Sequence, residues 1–165
     1  MSTLVRRIGA LTRASARRER MEPDLRAALA ARREECAQLH AQVDQTVARL
    51  NELQSVADQH RARIVAMMTG AEPFSIDIFD GCRRYLEVVE SQCDEARAEL
   101  DTRRSAAVAK EAEVAGARRA IALNRGRIDV CRKHTKQLQQ TLDQVALDAE
   151  DEAAEELASA RRSFA

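Results

Sequence analysis

Aromatic side chains make up only 2% of this 165-residue chain, and tryptophan is absent. Phe and Tyr normally supply much of the area that a compact core buries, so an ordinary globular core is excluded. With five glycines and two prolines, the many turns of a sheet-based enzyme fold are out of reach as well. No stretch approaches the roughly 20 apolar residues that span a bilayer, so direct membrane insertion is not expected. Leu4 to Leu11 holds two arginines and a glycine where a secretory signal would carry an apolar run. The four cysteines, Cys36, Cys82, Cys93 and Cys131, form no CxxC. Free thiols in a reducing cytosol fit them, and a cytoplasmic protein is expected. Neither GxxxxGK(S/T) nor GxGxxG occurs, so the chain carries no recognisable nucleotide loop.

What fills the space is Ala, Glu, Arg, Leu and Gln, the mix of long helices and coiled coils. Charged residues reach 33%, with 27 basic and 27 acidic groups cancelling to zero. Only Lys110, Lys133 and Lys136 are lysines; the arginine bias is what a GC-rich genome writes and points to a bacterial source. The Arg-rich, acid-poor first 20 residues also match a mitochondrial presequence in composition, but the pattern runs on into the helix that follows.

The periodicity predicts an all-α fold of two long helices in an antiparallel coiled-coil hairpin. From Leu25, alternating steps of four and three read Leu25, Leu29, Arg32, Cys36, Leu39, Val43, Thr46, Leu50, Leu53, Ala57, His60, Ile64 and Met67. Ten of these thirteen are apolar, the signature of an a/d seam. The seam fades over residues 15 to 22, beside Pro23, where a kink or a restart is expected. Gly70 and Pro73 end this arm. A second seam runs from Leu86 through Val89, Cys93, Ala96 and Leu100 to Ile121, Asn124, Ile128, Leu142 and Ala149. The expected boundaries are arm one at about 2–69, a tip at 70–81, and arm two at about 82–160, in one hairpin of 165 residues. Arms of this length would extend ~100 Å each.

If facing residue numbers sum to 153, a positions meet d positions throughout, although a slip of one heptad satisfies the same frame. In that register His60 faces Cys93. Residues 1–20 carry six arginines and one glutamate, and residues 143–156 carry seven carboxylates and no basic group. A hairpin would set these unlike ends side by side, which favours it over a parallel dimer. A monomeric hairpin is the expected form.

Candidate chemistry is sparse. Cys36 with His40, and Cys131 with His134, have helix-face spacings that could chelate a metal. A zinc site needs four ligands, and the register does not unite the two pairs, so core filling is the better reading and no metal or cofactor is expected. His60 opposite Cys93 would look like a nucleophile–base pair, but a polar layer in a coiled coil explains it more simply. Arg32, Thr46, Arg103, Lys110 and Asn124 are polar seam positions, read first as register control and second as stems that present charge to a partner. Residues 118–136 hold seven basic groups against Asp129, but no aromatics are interleaved for stacking on bases, so nucleic acid is not expected. Phe74, Phe79 and Tyr85 gather at the tip beside Ile76, Ile78, Arg83 and Arg84. They either cover the last layer of the hairpin or dock on a partner.

The run Arg17-Arg18-Glu19-Arg20-Met21-Glu22-Pro23-Asp24-Leu25-Arg26, leading into Arg32-Arg33-Glu34-Glu35-Cys36, resembles the stalk proteins of bacterial type III secretion. Glu72-Pro73-Phe74-Ser75 with Arg83-Arg84-Tyr85 adds to the likeness. This is the FliJ/YscO family, with the Hrp-type branch nearest, and the resemblance covers almost the whole chain. It implies a non-enzymatic protein similar to the central stalk of rotary ATPases. Such proteins enter the hexameric secretion ATPase, promote ring assembly or turnover, link the ring to the membrane export gate and escort secretion chaperones. By that resemblance Arg6, Arg7, Arg13, Arg17, Arg18 and Arg20, at the open end, would meet the ATPase. Phe74, Ile76, Phe79, Arg83, Arg84 and Tyr85, at the tip, would meet the gate. The competing readings are a coiled-coil chaperone or adaptor and a self-assembling structural rod.

Overall fold

A computed structural model describes residues 2–163 and shows an all-α helical hairpin: α1 spans Ser2–Thr69 and α2 spans Ile76–Ser163. No strand occurs among the described residues. Internal packing divides the chain into two units, an open-end unit of Met1–Leu29 with Gly116–Ala165 and a tip unit of Ala30–Ala115.

The turn follows from two residues. Gly70 adopts φ 78°, a left-handed conformation that costs glycine little and stops α1. The Glu72 amide donates to the Ala66 carbonyl at 3.1 Å, and the Arg63 guanidinium lies 3.6 Å from the Glu72 carboxylate. The Phe79 amide then donates to the Ser75 carbonyl at 2.9 Å, so α2 begins directly after Ser75. This start lies six residues before the expected boundary at 82, because a single turn needs a cap and helical backbone but no heptad. Ser75 flanks the start of α2, and Asp80 lies within it.

In the tip unit, Leu50, Ala57, Val89, Cys93, Ala96 and Leu100 form one buried cluster, with Val43, Val47, Leu53, Val56 and Leu86 packed against it. All six buried members lie on the two predicted seams, and each fully buried Val or Leu contributes about 1.5–3 kcal/mol. Val47, although off the seam, also covers this cluster. Cys82, buried at 5% exposure, extends the α2 seam one step towards the turn.

The register differs from the expected one. In the tip unit Glu35 meets Lys110, Gln42 meets Arg103, Arg49 meets Glu99 and Arg61 meets Glu90. In the open-end unit Arg18 meets Asn124 and Glu19 meets Arg132. Paired numbers scatter around 146 and none reaches 153, so both units use the register one heptad shorter. His60 accordingly stacks on Tyr85, ring centroids 4.7 Å apart and tilted by 56°, and not on Cys93.

Pro23 lies inside α1, which continues unbroken through it, so no restart occurs. The ring lacks an N–H and leaves the Glu19 carbonyl without its intrahelical donor. Cross-helix polar contacts concentrate there: Asn124 Nδ2 donates to the Arg18 carbonyl at 3.1 Å, Arg125 to Glu22 at 2.8 Å and Arg132 to Glu19 at 3.1 Å. Where the apolar seam fades, these contacts join the two helices instead.

Candidate functional site

The chemistry-bearing residues form two surfaces, one in each unit. At the tip, Phe74, Ile76 and Ile78 are exposed, at 60%, 58% and 42%. Phe79 is half-buried and holds Phe74 in a tilted ring pair with centroids 5.7 Å apart. Tyr85 and Val88, on the next turns of α2, are also about half exposed. Tyr85 keeps one face on His60, whose Nδ1 is buried and lacks a hydrogen-bond partner among the described residues. Arg83 and Arg84 are exposed, and the Arg84 Nε lies 3.4 Å from the Asp80 carbonyl. The tip therefore combines an aromatic pair, two isoleucines and two guanidinium groups.

At the open end, Arg6, Arg7, Arg13, Arg17 and Arg20 are exposed and Arg18 is half-buried. The shorter register overturns the expected pairing of basic and acidic ends. Opposite residues 2–20 lie residues of about 126–144, which include Arg127, Arg132, Lys133 and Lys136. Residues 145–159 lie past the α1 residues that this register pairs, and every residue from 143 to 159 is exposed. The seven carboxylates thus form an acidic helical tail, while the paired body beside it stays strongly basic. Sequence reasoning missed this because a one-heptad slip moves a charged end without disturbing any apolar layer.

The polar seam positions mostly serve their own hairpin. Thr46 is buried and its hydroxyl donates to the Gln42 carbonyl at 2.9 Å. Arg103 donates to that same carbonyl across the helices at 3.0 Å and pairs with Glu99. Lys110 bridges Glu35 and Glu113, both at 2.9 Å, and these two carboxylates raise its pKa above the ordinary lysine value. Arg32 lies 3.9 Å from Glu113. Hydrogen bonds first from Arg125 and then from Arg26 hold Glu22 below the usual carboxylate range. The Glu90 carboxylate, with a smaller contribution from Asp58, raises the Arg61 pKa.

All four cysteines are free thiols, with Cys82 and Cys93 buried. Among the described residues, no three His, Cys, Asp or Glu side chains cluster so as to hold a metal. No described helix is long and apolar enough to cross a membrane.

A second open-end feature runs along α2 from its seam edge outwards and reaches Arg18 of α1. Leu123 and Val130 are exposed at 62% and 54% although they lie off the seam. With Ala122, Gly126 and Cys131 they line an open groove of about 750 Å³ bounded by Arg18, Arg119 and Arg127. Their signal in the sequence was two large apolar residues, seven apart, off the seam.

Geometry and surface together define an all-α, two-helix hairpin whose chemistry lies on exposed faces, one set in each packing unit. Comparison with known families identifies it further: residues 6–162 match HrpB7, described as a bacterial type III secretion protein. The chain belongs to that family. No curated protein and no solved structure matched it.

Proposed function

We propose that this protein is a non-enzymatic central stalk of a bacterial type III secretion apparatus, acting in the cytoplasm at the inner membrane. The observation that carries the reading is membership of a type III secretion family in a chain built as a two-helix hairpin with chemically distinct ends. In this proposal the open end engages the hexameric secretion ATPase through Arg6, Arg7, Arg13, Arg17, Arg18 and Arg20. The tip, with Phe74, Ile76, Phe79, Arg83, Arg84 and Tyr85, engages the export gate, and the flanks escort chaperones. The FliJ/YscO stalks supply the functional analogy.

Electrostatics supports such a role. A hexameric ring presents six similar surfaces to one asymmetric insert, and a long-range field attracts the insert without fixing one orientation. A basic body followed by an acidic tail gives this insert a strong axial charge gradient.

Adding the protein to its cognate secretion ATPase should raise turnover or hexamer formation. Arg13→Glu with Arg17→Glu and Arg20→Glu should abolish that effect while leaving helicity intact. Phe74→Ala with Phe79→Ala should leave ATPase stimulation intact and reduce co-purification with the gate. If the ATPase neither responds to the wild-type protein nor co-purifies with it, the stalk reading fails.

A further inference from the structure

We propose that two copies of this chain associate through their open ends, the acidic tail of each occupying the arginine-rimmed groove of the other. The proposal goes beyond the stalk reading and stands or falls without the ATPase.

The tail is an acidic helix whose described side chains are all exposed. Val145 and Ala149 continue the α2 seam, the next two seam positions are Glu152 and Glu156, and the other carboxylates are spread around the helix. Val145 and Leu157 are 43% and 66% exposed. Residues 1–29 and 116–142 carry fourteen arginines and lysines against four carboxylates, whereas residues 143–159 carry seven carboxylates and no basic group. One unit thus holds a large positive excess and a large negative one in separate stretches of sequence.

The tail cannot reach the groove of its own chain. Helix α2 is continuous to Ser163, and no glycine or proline follows Gly126 to let it fold back. A second copy meets the requirement and brings the same two surfaces. The groove has the complementary chemistry, with Leu123 and Val130 between Arg119 and Arg127. At Gly126 an added Cβ would meet nothing within 4 Å, so a helix can approach closely there. From Arg119 to Cys131 the groove follows about 20 Å of helix, comparable with the ~25 Å of residues 143–159. Because each chain owns one tail and one groove, the contact is reciprocal, as in a two-fold dimer.

The test is sedimentation of the full-length chain alone. At low salt the protein should run as a dimer, and at about 1 M salt, where the screening length falls to about 3 Å, as a monomer. Asp148→Lys, Asp151→Lys, Glu152→Lys, Glu155→Lys and Glu156→Lys together reverse the tail, leaving two carboxylates against five lysines; Arg119→Glu with Arg127→Glu reverses the groove rim. Each variant alone should retain full helicity and associate at least about tenfold more weakly. Mixed one to one, the two variants should recover association, because both contacts of the mixed pair again join opposite charges. A wild-type chain that stays monomeric at low salt would overturn the proposal. So would association that survives either reversal, or a mixture that fails to associate.

Discussion

Asn124 donates from Nδ2 to the main-chain carbonyl of Arg18, 3.1 Å away on the other helix, and is itself 5% exposed. One buried amide thus fixes which residues face each other in the open-end unit, beside the Pro23 site where the apolar seam is weakest. Asn124→Ala removes the donor and should cost about 1 kcal/mol in urea unfolding. Asn124→Leu restores apolar burial and should lie closer to wild type, with less control over alignment.

The observed register makes Arg61 the partner of Glu90, at 2.6 Å. In the register one heptad longer, Glu90 would face Arg63. A double-mutant cycle separates the two. Arg61→Glu and Glu90→Arg should couple favourably by about 0.2–1 kcal/mol, as exposed pairs do, and Arg63→Glu should show no coupling to Glu90→Arg.

The tip core is built from small side chains in tight layers, with Val89 and Ala96 2% and 1% exposed. Val89→Ala should lower stability by about 2 kcal/mol through the cavity it leaves. Ala96→Leu, although more hydrophobic, should also lose about 1–3 kcal/mol because the layer has no room for it. Thermal or urea unfolding monitored by circular dichroism checks both.

Two ionisable groups set opposite pH limits. The Glu22 pKa is held low, chiefly by its hydrogen bond from Arg125. Its contribution is therefore present above the ordinary carboxylate pKa and lost as pH falls through the lowered one. The Lys110 pKa is raised, chiefly by Glu35 and then by Glu113. Its contribution is present below the ordinary lysine pKa and lost as pH rises through the raised one. Melting temperature against pH should flatten at the acid end in Glu22→Gln and at the alkaline end in Lys110→Gln.

Much of the fold was legible because heptad spacing is a local property. Leu50, Ala57, Val89, Ala96 and Ile121 are buried where the periodicity placed them, and Gly70 ends α1 where a left-handed residue was required. The interacting surfaces were less legible. The aromatic cluster at Phe74, Phe79 and Tyr85 could be located from composition alone, but the stacking of Tyr85 on His60 depends on alignment. The groove at Leu123 and Val130 was not legible, because apolar residues off a heptad frame carry no periodic signal and become a groove only once Arg18 of α1 is placed beside them. At Pro23 local propensity predicted a kink or a restart; α1 continues without a restart, and Asn124, Arg125 and Arg132 make cross-helix hydrogen bonds to the turn before it.

The amino-acid sequence by itself determined two long helices, their antiparallel pairing frame and the turn between them. Those features follow from a repeat of apolar residues and from one glycine, each acting over a few residues. Only the tertiary structure decided the register. A heptad repeat maps onto itself after a shift of seven, so apolar burial barely distinguishes 153 from 146, and specific pairs such as Arg18 with Asn124 and Glu35 with Lys110 resolve the tie. That single shift leaves the acidic tail of residues 143–159 exposed beside a basic body, and with it the surface through which a partner would be recognised.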